Sequence, residues 1–378
     1  MAVRVLVVDD SAFFRQRISD VLSRHPNIEV VGIARDGLDA IEKNNLLKPD
    51  VITMDVEMPK LNGIDAVKHI MRERPAQVLM VSSLTHEGAQ ITLQAMEAGA
   101  VDYLTKDVRA WMDKSPSLND DLTNRIVALG RSKYFVRSSF SNARANTSGA
   151  KKTSSTLHVF KPESKKGLLA TPTATNGRVA IASKLPTRGV VPAACKIVII
   201  GASTGGPAAL QEILTQLPAT FPYPILLVQH MPITFTTVFA ERLNQQCEID
   251  VKHAESGDRL QPGRALLAPG GMQMMLDSSS RVQVFKGDER LTYKPSIDVA
   301  FASVAKVFGA NSLAIVLTGM GADGCKGAKL LKEAGATVWG QSEASCTIYG
   351  MPQAVAKAGV LDSVIDLKDF ANDLQKKR

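Results

Sequence analysis

Ser203 sits in Gly201-Ala202-Ser203-Thr204-Gly205, a Gly-x-Ser-x-Gly spacing that lets the chain turn sharply and lift a hydroxyl above a sheet edge. A serine hydroxyl is a poor nucleophile until an imidazole takes its proton, and that imidazole needs a carboxylate to hold its tautomer. Two later segments offer those partners. Ile225-Leu226-Leu227-Val228 runs into Gln229-His230-Met231-Pro232, and the apolar run at 312–317 ends in Thr318-Gly319-Met320-Gly321-Ala322-Asp323-Gly324. Each is a strand-like stretch followed by polar groups, so Ser203, His230 and Asp323 are expected together at one sheet edge. Their order differs from the Ser, Asp, His order of α/β-hydrolases. Two alternatives stand beside this reading: Ser203 as a cap on the following helix, and His253 as the base. Residues 319–324 also fit a Gly-x-Gly-x-x-Gly pattern, with Glu343 as a ribose ligand. Asp323 would, however, set a carboxylate against pyrophosphate, and the match falls late in its domain.

A second set of polar residues follows the same rule near the start of the chain. Asp9 and Asp10 close one apolar run, Asp55 another, Ser82 a third and Lys106 a fourth. Carboxylates converging at strand ends repel one another unless a cation lies among them, and an all-oxygen set suits magnesium. Asp55 is then placed to attack a phosphoryl group, Lys106 to clamp it and Ser82 to follow it. Taken singly, Asp9 and Asp10 read equally well as helix caps and Lys106 as a solvated loop residue.

The elements that must hold these groups are α/β in type. Strand-like runs at 3–8, 28–34, 51–54, 78–81 and 100–104 alternate with amphipathic stretches at 11–23, 37–44, 63–72 and 86–97, a five-fold β-α repeat over residues 1–125. Residues 193–372 read as a second, doubly wound and mainly parallel domain, with an antiparallel hairpin at 273–285. Between them, 126–192 lose periodicity. From 131 to 190, sixteen residues are Ser or Thr, and twelve Lys or Arg face one acid, Glu163. That segment is expected to be a flexible linker, with 157–160 as a weak docking site and His158 an ordinary residue. Its net +11 exceeds the +8 of the whole chain, leaving the rest at −3, which argues against nucleic-acid binding by either domain. Cys195, Cys247, Cys325 and Cys346 lack metal-type spacing and read as reduced thiols. With neither a signal-peptide pattern nor a membrane-length apolar run, the expected location is the cytoplasm.

The first domain resembles the receiver domain of two-component response regulators, through Val7-Val8-Asp9-Asp10-Ser11, the segment 54–63 (Met-Asp-Val-Glu-Met-Pro-Lys-Leu-Asn-Gly), Val81-Ser82-Ser83-Leu84-Thr85 and the segment 98–106. The resemblance implies a flavodoxin-like (βα)5 fold in which Asp55 accepts phosphate from a histidine kinase. It also implies magnesium held by Asp10, Asp55 and the Glu57 backbone carbonyl, with Asp9 acting through water and Ser82 and Tyr103 forming a switch. Asp107 stands where that family has proline after the lysine. The second domain resembles the catalytic domain of the chemotaxis protein-glutamate methylesterases, the CheB family. The motifs are Ile200-Gly201-Ala202-Ser203-Thr204-Gly205-Gly206-Pro207, Val228-Gln229-His230-Met231-Pro232, the segment 267–273, Pro295-Ser296-Ile297-Asp298, the segment 317–324 and Tyr349-Gly350-Met351-Pro352.

This second resemblance implies Ser203 as nucleophile, His230 as base and Asp323 as orienting carboxylate, with Thr204 beside the nucleophile and the Met320 amide facing the oxyanion. The Gly-Gly-Met and Pro-Ser-Ile-Asp segments are expected to shape the cleft. The implied reaction is hydrolysis of glutamate γ-methyl esters on methyl-accepting chemotaxis receptors, with glutamine deamidation by the same chemistry. It needs no cofactor in the cleft. The phosphodonor is the chemotaxis histidine kinase CheA, the enzyme is a monomer that associates with receptor arrays, and an unphosphorylated receiver covers the cleft. Two other readings are weighed against this: a hydrolase of the same chemistry acting outside chemotaxis, and a transcriptional response regulator, which predicts a basic helix-turn-helix output that the second domain lacks.

Overall fold

The β-branched runs form strands close to the expected limits, because alternating burial on a two-faced sheet is what their composition suits. In the computed structural model, which describes residues 2–113, 115–132 and 185–376, the first unit contains β1 (Val3–Val8), β2 (Ile28–Ala34), β3 (Val51–Asp55), β4 (Gln77–Ser82) and β5 (Asp102–Thr105). Its helices are α1 (Ala12–Ser23), α2 (Gly37–Leu47), α3 (Gly63–Glu73), α4 (His86–Glu97), α5 (Val108–Met112) and α6 (Pro116–Arg131). The strands lie in the order β2-β1-β3-β4-β5, every neighbour parallel, which is the flavodoxin-like order. Side-chain caps mark the loop-to-helix turns: Asp36, Asn62, Thr85 and Asp107 each accept from a backbone N–H of the helix that follows.

The second unit contains β6 (Ile197–Ala202), β7 (Ile225–Gln229), β8 (Asp250–His253), β9 (Arg264–Leu267), β10 (Gln273–Leu276), β11 (Val282–Phe285), β12 (Ser312–Val316), β13 (Thr337–Gln341) and β14 (Ser363–Ile365). Seven of these strands form one parallel sheet in the order β14-β13-β12-β6-β7-β9-β8. Its helices are α7 (Gly206–Leu214), α8 (Ile233–Gln246), α9 (Ile297–Phe308), α10 (Cys325–Glu333), α11 (Met351–Lys357) and α12 (Phe370–Leu374). Along β6, Val198 and Ile200 enter one apolar cluster while Ile197 and Ile199 enter another, so both faces are covered. The chain winds outward from β6 through β7, then returns to place β12 on the other side. That reversal opens a crevice at the carboxyl end of β6. The hairpin β10-β11 stands apart, with the Asp277 carboxylate accepting from Ser279 and Arg281 N–H groups in its turn.

Several limits differ from those read in the sequence. α6 runs past position 125 to Arg131, because Leu129 is buried and Gly130 lies against Val3. The second unit begins before 193: Pro186 accepts from Val364 N–H, Gly189 donates to the Asp373 carboxylate and Val191 donates to the Lys376 carbonyl. The same contacts carry it beyond 372. Residues 250–271, between α8 and the hairpin, supply β8 and β9, four residues each. The linker expectation for 133–184, with 157–160 and His158, lies outside the described residues.

Candidate active site and phosphoacceptor cluster

Ser203 follows β6, His230 follows β7 and Asp323 lies in the loop after β12, and these are neighbouring strands. The loops therefore converge. His230 Nδ1 is 3.2 Å from Ser203 Oγ, and His230 Nε2 is 2.8 Å from Asp323 Oδ2. Ser203 does not cap α7; the N-cap is Gly205 at φ 75°, and it makes no side-chain cap bond. That left-handed turn frees the serine side chain to face the imidazole. Gly319 lets the next loop approach closely, since a Cβ there would lie 2.8 Å from Ser203 Cβ. Gln229 steadies the corner by donating from Nε2 to the carbonyls of Ser203 and His230.

Asp323 is nearly buried, yet five donors hold it. Besides His230 they are Ser203-independent: the Ser296 hydroxyl and the backbone N–H groups of Ile297, Asp298 and Gly324, at 2.7 to 3.1 Å. Burial opposes the charge, but the hydrogen bonds from His230, Ile297 and Asp298 more than offset it and hold this carboxyl below its ordinary range. The first turn of α9 thus cradles an anion, as helix N-termini do. From the Pro-Ser-Ile-Asp segment, expected to shape the cleft, Ser296, Ile297 and Asp298 grip Asp323. With Asp323 ionised, Nε2 carries the hydrogen and donates, leaving the Nδ1 lone pair toward Ser203. That geometry can remove a proton from the hydroxyl. Thr204 and Met320 line the same cleft of about 420 Å³. His253 is elsewhere: on edge strand β8 its Nε2 lies 3.0 Å from Thr236 Oγ1, and burial depresses its pKa.

At the carboxyl edge of the first sheet, Asp9, Asp10 and Asp55 bring carboxylate oxygens within 4.8 Å of one another. Lys106 Nζ lies 2.7 Å from both Asp9 and Asp55 and 4.7 Å from the centre of the Phe14 ring. Burial, then the charge of Asp9, pushes the Asp55 carboxyl up to about 6, and burial raises Asp9 as well. One lysine does not neutralise three acids, so the donor set fits a divalent cation with oxygen preference. Asp107, in place of proline, accepts from Arg109 and Ala110 N–H groups and starts α5, and Lys106 still reaches both acids. Ser82 Oγ donates to the Gly88 carbonyl at 3.2 Å. Glu57 is exposed in the loop after β3.

Residues 198–374 match the family described as CheB methylesterase, and residues 5–111 match the response regulator receiver domain. A protein-glutamate methylesterase/protein-glutamine glutaminase of Pseudomonas aeruginosa is 50% identical over 374 residues, covering 99% of this chain and 99% of its own. A protein of the same description in Vibrio cholerae is 47% identical, covering 98% of this chain and 97% of its own. This chain belongs to the CheB methylesterase family. Among solved structures, the Thermotoga maritima CheB methylesterase catalytic domain is 39% identical over 48% of this chain and 97% of its own, with a TM-score of 0.46. The response regulator domain of the same organism's CheB is 50% identical over 34% of this chain and 98% of its own, with a TM-score of 0.31.

In this CheB-family chain the receiver packs on the mouth of the serine cleft. Asp102, Tyr103 and Leu104 of β5, with Arg125 of α6, line the cavity that holds Ser203 and His230. Thr204 Oγ1 donates to Asp102 Oδ2 at 2.8 Å, and Arg125 pairs with the same oxygen at 2.5 Å. The Tyr103 ring stacks on Phe235 of α8, with centroids 4.2 Å apart. Glu97, the last residue of α4, takes hydrogen bonds from Arg242, Gln211 and Gln246. Burial opposes the charge on Glu97, but those donors outweigh it and lower its pKa. Ile348 is buried in the cluster that contains Leu104, Leu122 and Ile126 of the receiver, and Met320 packs against it. Sequence reasoning placed Tyr103 in a switch but did not single out Asp102, Arg125 or Glu97, because no local motif marks a residue that pairs across 102 or 145 positions.

Proposed function

We propose that this chain is a phosphorylation-activated protein-glutamate methylesterase that hydrolyses glutamate γ-methyl esters on methyl-accepting chemotaxis receptors and deamidates selected glutamines. The observation that carries the reading is the Asp323–His230–Ser203 relay standing in a cleft whose mouth is occupied by a receiver domain. Ser203 Oγ attacks the ester carbonyl as His230 Nδ1 takes its proton. The Met320 backbone N–H and the Thr204 side of the cleft face the developing oxyanion. The imidazolium, held by Asp323, then protonates departing methanol. Water activated by the same imidazole cleaves the acyl-serine and releases glutamate. The esterase chemistry proceeds on these side chains without a cofactor.

Regulation begins at Asp55, which takes a phosphoryl group from the chemotaxis histidine kinase. With its pKa near 6, Asp55 is mostly ionised at neutral pH and able to attack phosphorus. Asp10, Asp55 and the Glu57 carbonyl would hold magnesium, with Asp9 acting through water, and the ion would neutralise charge around the phosphoryl oxygens. Lys106 follows β5 directly, and β5 supplies Asp102 and Tyr103 to the cleft mouth. Re-pairing of Lys106 with a phosphoryl group, with Ser82 and Tyr103 shifting in response, moves the strand that covers Ser203 and favours an open arrangement.

The test incubates the purified full chain with methyl-labelled chemoreceptor membranes, with and without a small phosphodonor. Labelled methanol appears, rises with the phosphodonor and disappears in Ser203→Ala. Methanol release that persists in Ser203→Ala, or none from any cognate receptor, overturns the substrate reading. Release that ignores Asp55→Ala overturns the regulatory half alone.

A further inference from the structure

The imidazole of His230 has a neighbour outside the triad and the oxyanion donors. Tyr293 lies face to face with it, ring centroids 4.2 Å apart and planes within 3° of parallel. The tyrosine belongs to a braced loop. Gln273, buried in β10, donates from Nε2 to the Tyr293 carbonyl at 2.7 Å and accepts from Ser296 N–H at 2.9 Å. Gly271 N–H donates to the Lys294 carbonyl at 2.9 Å. One short segment therefore puts an aromatic face on the imidazole and, three residues later, the Ser296 hydroxyl on the carboxylate that orients it.

We infer that Tyr293 is a positioning residue for the base: its ring holds the imidazole in the plane that joins Ser203 Oγ to Asp323 and supports the imidazolium as it forms. The inference rests on the proposed roles of Ser203, His230 and Asp323. A parallel ring blocks rotation out of that plane without competing for either ring nitrogen. Its π-face attracts the imidazolium more strongly than the neutral ring, and the charged ring is the state reached in the transition state. The other charged or titratable groups around the imidazole are Asp323 at 2.8 Å and, along the cleft, Lys294 and the receiver's Asp102, Tyr103, Asp121 and Arg125. None of these lies parallel on the ring face, so the stack is a contribution of its own.

The experiment measures methanol release by the full chain, with phosphodonor, for wild type, Tyr293→Leu and Tyr293→Phe between pH 5 and 9. Leucine keeps bulk over the imidazole and removes the π-face; phenylalanine keeps the face. The expected result for Tyr293→Leu is a fall in kcat of roughly three- to thirtyfold with KM nearly constant. The acid limb of the pH profile should move to lower pH, and Tyr293→Phe should restore most of the rate and the limb. Imidazole nitrogen NMR of His230 should titrate at lower pH in Tyr293→Leu. A leucine variant with wild-type kcat and an unmoved acid limb overturns the inference, as does a phenylalanine variant as impaired as leucine. If wild type shows no Ser203-dependent release, the functional reading fails instead, and the NMR titration still decides whether the stack supports the imidazolium.

Discussion

Both units of this chain collect polar side chains at the carboxyl ends of parallel strands, and they treat a buried carboxylate in opposite ways. Asp55 has a single lysine shared with Asp9, and burial beside that second acid drives its pKa up to about 6. Asp323 is also buried, but a helix N-terminus, a hydroxyl and the imidazole give it more donors than its desolvation costs, and its pKa falls. The first site is electrostatically incomplete and suited to receive a cation and a phosphoryl group. The second is preorganised, with its charge settled before substrate arrives. A switch needs a state that a ligand can change; an acyl-transfer centre needs one that does not reorganise during reaction.

Removing charge from the preorganised side should have the largest effect. Asp323→Asn keeps the shape but releases the tautomer, and phosphodonor-stimulated methanol release should drop by roughly three to four orders of magnitude. A drop below tenfold would mean that the α9 cradle does not serve the imidazole. On the incomplete side, the effect is on stability. The folded pKa of Asp55 lies above its unfolded value of 3.8, so the folded state holds a proton that the unfolded state has lost between about 4 and 6. Metal-free protein should therefore lose receiver stability as pH rises through that window, by on the order of 2–3 kcal/mol, and change little above it. Asp9 acts in the same direction. Thermal melts in chelator should show the slope, Asp55→Asn should flatten it, and magnesium should stabilise most above pH 6; a melt independent of pH and magnesium would contradict the contrast drawn here.

The smallest of these effects concerns the contact between the two units. Arg242→Ala removes the main cation facing Glu97, leaving that carboxylate half-buried and under-paired. Methanol release without phosphodonor should rise roughly tenfold while the phosphorylated rate stays near wild type. Basal release that stays at the wild-type level would show that the Thr204–Asp102 and Tyr103–Phe235 contacts hold the receiver unaided.

Much of the fold was legible in the residues. The strand-end acids, the serine elbow and the runs that became β1 to β4, β6, β7 and β12 announce themselves within windows of ten residues, where periodicity and turn chemistry act. β9 was not: its four residues, Arg264–Leu267, follow a turn-rich stretch and show no alternation. Asp107 and the motif at 295–298 stand out in the sequence, but their contacts do not: Asp107 starts α5 while Lys106 still reaches Asp9 and Asp55, and Ser296 serves a carboxylate 27 positions away.

The sequence by itself determined which groups could do chemistry and that parallel strands would gather them, because side-chain type, small residues at turns and alternating apolar runs are local properties. Only the tertiary structure decided that Nδ1 of His230 faces Ser203, that α9 holds Asp323, that Tyr293 covers the imidazole and that Asp102 reaches Thr204. Those pairings join residues 25 to 102 positions apart. They follow from which strands lie side by side and which domain face covers the cleft, outcomes of burying apolar surface over the whole chain that no short window contains.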